Sequence, residues 1–223
     1  MRDFEDHQAS GGPAGNVVQI TPETVPTRQI SVLSQLEAYW RTIALPGQIP
    51  YRHDVEPKAI GPCLSHVYLA TVVAPGLARI RFAGQELSNI FGMDPRGMPM
   101  SALYDLTGRR RLSQEIERIC ETPTIVELPI QTNQGFMRRP MLGRMSMLPL
   151  KDEMGQVSRF MGAIVFDGRL TPRGSTQISV ETNKPFRIEP IPEARRQPIP
   201  ARPGRRQDDA APQSHLSLVI DNT

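Results

Sequence analysis

Cysteine, histidine and aromatic residues are scarce in this sequence, and their scarcity excludes several kinds of site. The 223 residues include two Cys, four His and one Trp, and aromatic residues make up 5% of the chain. Cys63 and Cys120 lie far apart and form no CxxC or Cys/His pattern. A structural zinc site needs four nitrogen or sulfur ligands at short spacings. We therefore expect no metal centre, and reduced thiols rather than a disulfide.

Long apolar runs are also absent. No segment approaches the ~18 apolar residues of a membrane-spanning helix, and the N-terminal MRDFEDHQASGG has acidic residues where a secretory signal has its apolar region. The formal net charge is +3, which is small for a dedicated nucleic-acid binder with its dense Lys/Arg surface. The sequence therefore predicts a cytoplasmic protein without a membrane segment, and it does not favour a nucleic-acid partner.

Proline, by contrast, is plentiful, and the ends of the chain have few large apolar residues. Residues 1–30 combine Pro with a Gly-Gly pair, and residues 169–223 are rich in Pro and Arg with no aromatic residue after Phe186. Such segments bury too little apolar area to offset a backbone ordering cost of ~1–2 kcal/mol per residue. We predict a flexible N-terminal arm, an ordered domain at 31–168, and a disordered tail that ends in a short apolar segment.

Apolar periodicity predicts the elements of the ordered domain. An amphipathic helix between Val32 and Ile43 is followed by two strands, HVYLATVV and LARIRFAG, around a Pro75-Gly76 turn. QELSNIF predicts a short helix and residues 109–121 a longer one. Three β-type runs with short polar connections come next, at 124–132, 138–150 and 158–167. This order predicts an α+β fold in which helices cover one face of a five-stranded antiparallel sheet.

Two segments carry a family resemblance. LARIRFAGQELSNIFGMDPRGMP and MLPLKDEMGQVSRFMGAIV resemble the pattern of mostly stand-alone bacterial PAS proteins, common in alphaproteobacteria. In that pattern a strand of f-r-y-r-l-v-G type leads into l-x-x-l-f-G-x-d-l-x-G, and a later strand closes on l-P-L before v-x-x-x-x-G-a. Trp40 fits the opening helix, and the resemblance covers about 36–167. It implies a PAS fold used as a sensory or interaction module in signal transduction, often dimeric, with no settled ligand.

The residues for cofactor or catalytic chemistry are not visible. Gly84, Gly92 and Gly97 are too widely spaced for a phosphate-binding loop and fit turns and helix ends instead. The PAS resemblance implies that haem would need a His on or near the helix at 109–121, and a flavin photosensor a Cys in QELSNIF; neither is present. No Ser, His and carboxylate grouping stands out. We therefore expect no cofactor, no catalytic residue and no enzymatic activity.

The inner face of the predicted sheet is the first candidate site. Met residues share one strand face near the end of the domain, and in a PAS layer that face is also the wall of any pocket. One interpretation is an adaptable apolar pocket for a small uncharged ligand, and the other is a core filled by flexible side chains. The pocket candidates are Ile80, Phe82, Phe91, Ile116, Met145, Met147 and Phe160.

Partner contacts are the second candidate. The longest predicted helix begins with Arg109, Arg110 and Arg111. Their positive charges are unfavourable there, because the N-terminal end of the helix macrodipole is also positive. They are either a solvated run or the contact for an acidic partner. Trp40 is a candidate dimer contact, with packing on its own sheet as the alternative. Leu218 and Ile220 belong to a lone apolar cluster after a polar stretch, which indicates either a docking peptide or a free end.

Two functions remain open. The leading hypothesis is a PAS-type regulatory protein without catalytic output, which acts through protein contacts, including contacts within a homodimer. In this hypothesis a ligand or partner that favours one of two packings of the sheet and helices shifts the population between them. The alternative is a small-molecule sensor or carrier with an apolar pocket.

Overall fold

The structure is a computed structural model, and it describes residues 27–133, 140–168, 176–181 and 186–192. All of them belong to one compact unit, Met1–Glu193. Leu218 and Ile220 lie outside the described residues, as does the predicted N-terminal arm except for its last four positions, where the first helix already begins. No helix in the described ranges is long and apolar enough to cross a membrane.

Helices and antiparallel strands alternate much as the sequence predicts, and the α+β class is confirmed. The helices are α1 (Thr27–Ile43), α2 (Pro57–Ile60), α3 (Gln85–Phe91) and α4 (Leu106–Glu121), with 3-10 turns at Arg52–Asp54, Gly61–His66 and Met100–Leu103. The strands are β1 (Val67–Ala74), β2 (Leu77–Ala83), β3 (Thr124–Asn133), β4 (Leu142–Lys151), β5 (Val157–Phe166), β6 (Gln177–Val180) and β7 (Arg187–Pro190). They form one sheet in the order β2-β1-β5-β4-β3-β6, and β7 pairs with β3 beside β6.

Apolar side chains project from the central strands on both faces of the sheet. In β4, Met145 and Met147 join the core beneath α3 and α4, whereas Leu148 and Leu150 join the core beneath α1. Strands that are apolar on both faces need cover on both sides to keep that surface from water. The prediction that helices cover one face is therefore wrong, because α1 packs on the second face.

The sheet has seven strands rather than the predicted five. Strands β6 and β7 come from the stretch whose composition predicts a disordered tail, and they pair with the outer edge of β3. Ile178 and Val180 of β6 are buried in the core beneath α4. Each of these strands has only four residues. An alternation of that length is too short to predict a strand in a segment so rich in Pro and Arg. The tail prediction is wrong at these two strands.

A β-bulge places Ile80 and Phe82 on opposite faces of the sheet, although strand periodicity predicts that they share one face. Leu69 pairs with Phe82 and Ala70 pairs with Ile80, so Arg81 is an extra residue on β2. Ile80 accordingly enters the core beneath α4, while Phe82 packs against the core beneath α1. Phe82 is therefore not part of the predicted pocket wall. The alternation of the sequence alone gives no sign of the bulge.

The buried side chain of Tyr68 crosses β5 at Gly162 and ties β1 to β4. The Tyr68 hydroxyl donates to the Ser146 carbonyl oxygen at 2.8 Å, and the Ser146 Oγ accepts from the Ala163 amide at 3.2 Å. Burial raises the pKa of Tyr68 well above its ordinary value, so the phenol keeps the proton that it donates. A Cβ added to Gly162 would lie 1.8 Å from the Ser146 oxygen and 2.6 Å from the Tyr68 hydroxyl. The crossing therefore requires glycine.

We predict that Gly162→Ala lowers the free energy of unfolding by about 3 kcal/mol, because it combines overpacking with the loss of a buried hydrogen bond. Gly97→Ala is the matched control. Gly97 has φ +82° and no atom within 4 Å of an added Cβ, so its cost is only the backbone strain of about 1 kcal/mol. Urea unfolding of the two variants measures both values, and equal losses would contradict the steric explanation.

Candidate functional site

Six of the seven pocket candidates lie in one core cluster between the sheet and the α3 and α4 helices. They are Ile80, Phe91, Ile116, Met145, Met147 and Phe160, and none is more than 1% exposed. Strand alternation brings the β-residues to this face, and the apolar stripes of α3 and α4 supply the others. The structure thus brings together the residues that the sequence assigns to this face, with Phe82 as the exception.

Two tyrosines that the sequence analysis does not single out fill the middle of this cluster. Tyr68 meets Phe160 edge to face, with ring centroids 6.2 Å apart. Tyr104 is also fully buried, and its hydroxyl donates to the Met145 sulfur at 2.7 Å. Burial raises the pKa of Tyr104 as well, so both phenols are neutral donors engaged within the core. The position of Tyr68 in a predicted strand indicates that it is buried, but only the packing shows that its hydroxyl donates to the Ser146 carbonyl oxygen.

Trp40 is buried against its own sheet. Its side chain is 2% exposed, and its indole Nε1 donates to the Pro149 carbonyl oxygen at 2.8 Å. The prediction that Trp40 is a dimer contact is wrong, because a ring enclosed between α1 and β4 presents no surface to a second copy. The alternative, packing on its own sheet, is what the structure shows.

The three consecutive arginines lie in different environments. Helix α4 begins at Leu106, three residues before the predicted start, and Asp105 caps it by accepting from the Gly108 amide at 2.7 Å. The negative charge of Asp105 offsets the unfavourable positive charges of the arginines that follow it near the helix N-terminus. Arg109 donates from Nε to the Tyr104 carbonyl oxygen at 2.8 Å. Arg110 is exposed and makes no hydrogen bond or ion pair with the described residues.

Arg111 is fixed between a buried carboxylate and an aromatic ring. Its Nη2 lies 2.8 Å from the Glu115 Oε1, and its Cζ lies 4.5 Å from the centroid of Phe186. Glu115 has no exposed side-chain surface and also pairs with Arg118 at 3.1 Å. A buried charge needs such partners to offset its lost hydration. Neither Glu115 nor Phe186 stands in a recognisable sequence motif, so neither is predicted as a site residue.

An open groove of about 430 Å³ follows the start of α4. We call it the α4 groove, and its lining residues are Leu106, Thr107, Arg110, Arg111 and Gln114. Leu106 is 78% exposed, which is unusual for a side chain of its size and places an apolar surface beside two guanidinium groups. Arg111 also borders a smaller pocket that Phe186 and Glu181 line. The arginines are predicted site residues, whereas Leu106 is not.

Comparison with known proteins identifies the family. A family model described as a PAS domain matches residues 28–165. The chain belongs to the PAS domain family. No curated protein matches the chain.

Solved structures similar to this PAS protein include light-oxygen-voltage (LOV) domains. The light-state structure of the blue-light photoreceptor Aureochrome1 LOV is 13% identical over 47% of this chain and 82% of that one, with a TM-score of 0.35. The Rhodobacter sphaeroides LOV protein is 12% identical over 61% and 68%, with a TM-score of 0.37. A light-oxygen-voltage domain studied with a flavin analogue is 17% identical over 50% and 83%, with a TM-score of 0.34.

Titratable groups that often bind metals or cofactors are dispersed or engaged in this PAS domain. Among the described residues, no three His, Cys, Asp or Glu side chains are grouped to hold a metal ion. Burial raises the pKa of the Cys63 thiol, which donates to the Ile60 carbonyl oxygen at 3.1 Å. Burial, and to a lesser extent the charge of Glu121, raises the pKa of Cys120. Both thiols are therefore protonated at neutral pH.

An ion network joins the C-terminal strand β7, which lies beyond the matched PAS range, to α1. We define the ion network as Glu37, Arg41, Arg187 and Glu189. Arg187 binds both oxygens of Glu37, at 2.6 and 3.0 Å, and also contacts Glu189. Arg41 contacts Glu37 and Glu189 at 2.8 Å each. On the other side of the same sheet edge, the Ser179 hydroxyl of β6 donates to the Asp105 cap of α4. The two strands thus contact both helical layers.

The pKa values of the two carboxyl groups in the ion network depend on opposing effects. Burial favours the neutral form of Glu37, but hydrogen bonds from Arg187 and Arg41 outweigh it and lower the pKa. Burial likewise opposes the charge of Glu189, and hydrogen bonds from Arg41 and Arg187 lower its pKa. A lowered folded-state pKa means that the network stabilises the fold above the unfolded pKa and that this contribution is lost in acid.

We predict that Glu37→Gln lowers the free energy of unfolding by about 1 kcal/mol at pH 7, because the two arginines lose a charged acceptor. The difference between wild type and variant should shrink as the pH falls below the ~4.3 of an unperturbed Glu and through the lower folded-state pKa of Glu37, since protonation removes the charge that the two arginines bind. Denaturant unfolding at several pH values between neutral and acid measures this. Glu56→Gln, at an exposed position, is the control, and a difference that is constant with pH would contradict the assignment.

We also predict that Trp40→Phe lowers the free energy of unfolding by about 1–3 kcal/mol, because it leaves the buried Pro149 carbonyl without its donor. The oligomeric state should not change, because the ring faces its own sheet. Unfolding measurements and analytical ultracentrifugation test the two parts separately. A stable variant with an altered sedimentation coefficient would restore the dimer-contact hypothesis.

Proposed function

We propose that this PAS protein is a regulatory module that acts through protein contacts and has no catalytic output of its own. PAS domains are sensory modules, so the family supports a sensor role. The observation that carries the finer proposal is the filled inner face: Phe91, Ile116 and Phe160 meet Tyr68 and Tyr104 in one buried cluster. The burial of these residues in one cluster supports a filled core rather than a ligand wall.

The protonation states of buried groups support the non-catalytic part of the proposal. A nucleophilic cysteine requires a lowered pKa, whereas burial raises the pKa of both Cys63 and Cys120. Tyr68 and Tyr104 are neutral hydrogen-bond donors inside the core. The fully buried Glu115 is paired with two arginines. These groups therefore stabilise the fold rather than remain available for acid–base chemistry.

The arrangement of the sheet supports signalling by repacking. Each face of the sheet carries its own core, and β6 and β7 contact α4 on one side and α1 on the other. A partner that binds one packing of these layers more tightly than another shifts the population toward it. In this proposal the binding of a partner to α4 is linked to α1 through the strands at the edge of β3.

Native mass spectrometry of the full chain purified from its source tests the proposal. We expect the mass of the polypeptide, or of a multiple of it, without a stoichiometric small molecule, and we expect partner proteins to be retained in a pull-down. A molecule bound one to one under native conditions and lost on denaturation would contradict the filled core. That result would favour the small-molecule sensor or carrier, in which the flexible Met145 and Met147 side chains repack around a ligand.

A further inference from the structure

We propose that the α4 groove binds a short, extended, acidic segment of a partner protein. The inference rests on the proposed function and gives it a surface and a partner chemistry. Its basis is an exposed leucine, one unpaired arginine and one arginine that is already held in place, all within the lining of a single groove.

The groove offers apolar area that the fold itself does not use. Leu106 is the first residue of α4 and is 78% exposed. Full burial of a leucine side chain contributes about 1.5–3 kcal/mol. The helix does not use the Leu106 side chain for its own packing, because Asp105 caps the helix and other residues form its buried face. A partner that supplies one bulky apolar side chain recovers this energy.

The charge of the lining selects an acidic segment. Among the described residues that line the groove, two are arginines and none is a carboxylate. Arg110 has no ion-pair partner among the described residues, so an incoming carboxylate displaces only water. Arginine has five N–H donors in a planar fork and binds carboxylates in a bidentate manner. An acidic side chain therefore gains its bonds here without breaking an existing ion pair.

Arg111 is pre-organised for the same role. Glu115 at 2.8 Å and the Phe186 ring at 4.5 Å hold its guanidinium, yet a quarter of its side chain, 25%, remains exposed. A side chain that is fixed before binding loses less conformational entropy when the ligand arrives. Glu115 and Phe186 are thus positioning residues for this cation.

Neighbouring acidic groups restrict where the segment lies. The Asp105 carboxylate is occupied by the Gly108 amide and the Ser179 hydroxyl, and Glu181 lines the adjoining pocket. The acidic side chain of the ligand lies toward Leu106 and Arg110, on the side of the groove that no described carboxylate lines. A nucleic acid fits this surface less well, because it needs a longer cationic track and stacking platforms. An extended peptide with an acidic and an apolar side chain satisfies both features of the groove.

Selection from a library of random peptides displayed on phage, against the full chain, tests the inference. We expect the selected peptides to be enriched in Asp or Glu together with a large apolar residue. A synthetic peptide from that set, measured by fluorescence anisotropy, should bind Arg110→Glu about tenfold or more weakly than wild type, which corresponds to the loss of one charge-assisted contact. Leu106→Ser should weaken binding about fivefold, since only part of the leucine burial is lost.

Arg81→Glu is the matched control, because Arg81 is an exposed arginine on β2, on the opposite edge of the sheet from β3. It should leave the affinity within about twofold, as expected for a remote surface charge. Selected peptides without acidic residues, a selection without binders, unchanged binding by Arg110→Glu, or an equal loss in Arg81→Glu would each overturn the inference. So would tighter binding of single-stranded RNA than of the acidic peptide, with the same dependence on Arg110.

The two proposals fail in distinguishable ways. If partners from the source are retained equally by wild type and Arg110→Glu in the pull-down, the groove is not the contact and the regulatory function stands. If native mass spectrometry reveals a stoichiometric small molecule, the proposed function fails whatever the peptides do. Far-ultraviolet circular dichroism of each variant confirms that it is folded, which Arg110 and Leu106 allow because both are exposed.

Discussion

The two-sided apolar character of the central strands is the constraint on which the rest of the structure depends. Met161 and Val165 of β5 leave the sheet on one face, and Phe160 and Ile164 leave it on the other. A sheet of this kind is stable in water only between two layers. The α1 helix, which buries Trp40, covers one side, and α3 and α4 cover the other.

Much of this architecture is visible in the sequence, because it follows from local patterns. The order of elements and the inward face of Ile80, Ile116 and Met145 follow from apolar periods of two and 3.6 residues. The face of the sheet on which Phe82 lies does not follow from these periods, because one bulged residue reverses the alternation. The packing of α1 on the second face of the sheet does not follow either, since periodicity indicates which residues are buried but not against which layer they pack.

The surface features at α4 are predictable only in part, for a different physical reason. A run of three arginines is obvious in the sequence, yet their individual roles depend on residues distant in the chain. Phe186 reaches Arg111 only because β7 pairs with β3, a contact that no local pattern encodes. The exposure of Leu106 depends equally on what does not pack over the first turn of α4. Interactions set by tertiary pairing are thus the part that single-sequence reasoning cannot recover.

The position of β6 and β7 has a consequence for the extent of the folding unit. The family-matched range stops at residue 165, but the protein without the later strands would have β3 as a bare edge with free amide and carbonyl groups. It would also lack Ile178 and Val180, which complete the core beneath α4, and Glu37 would lose its strongest cationic partner. The family-matched range therefore covers the scaffold, while a paired β3 edge and a complete core beneath α4 require a longer segment that reaches at least Pro190.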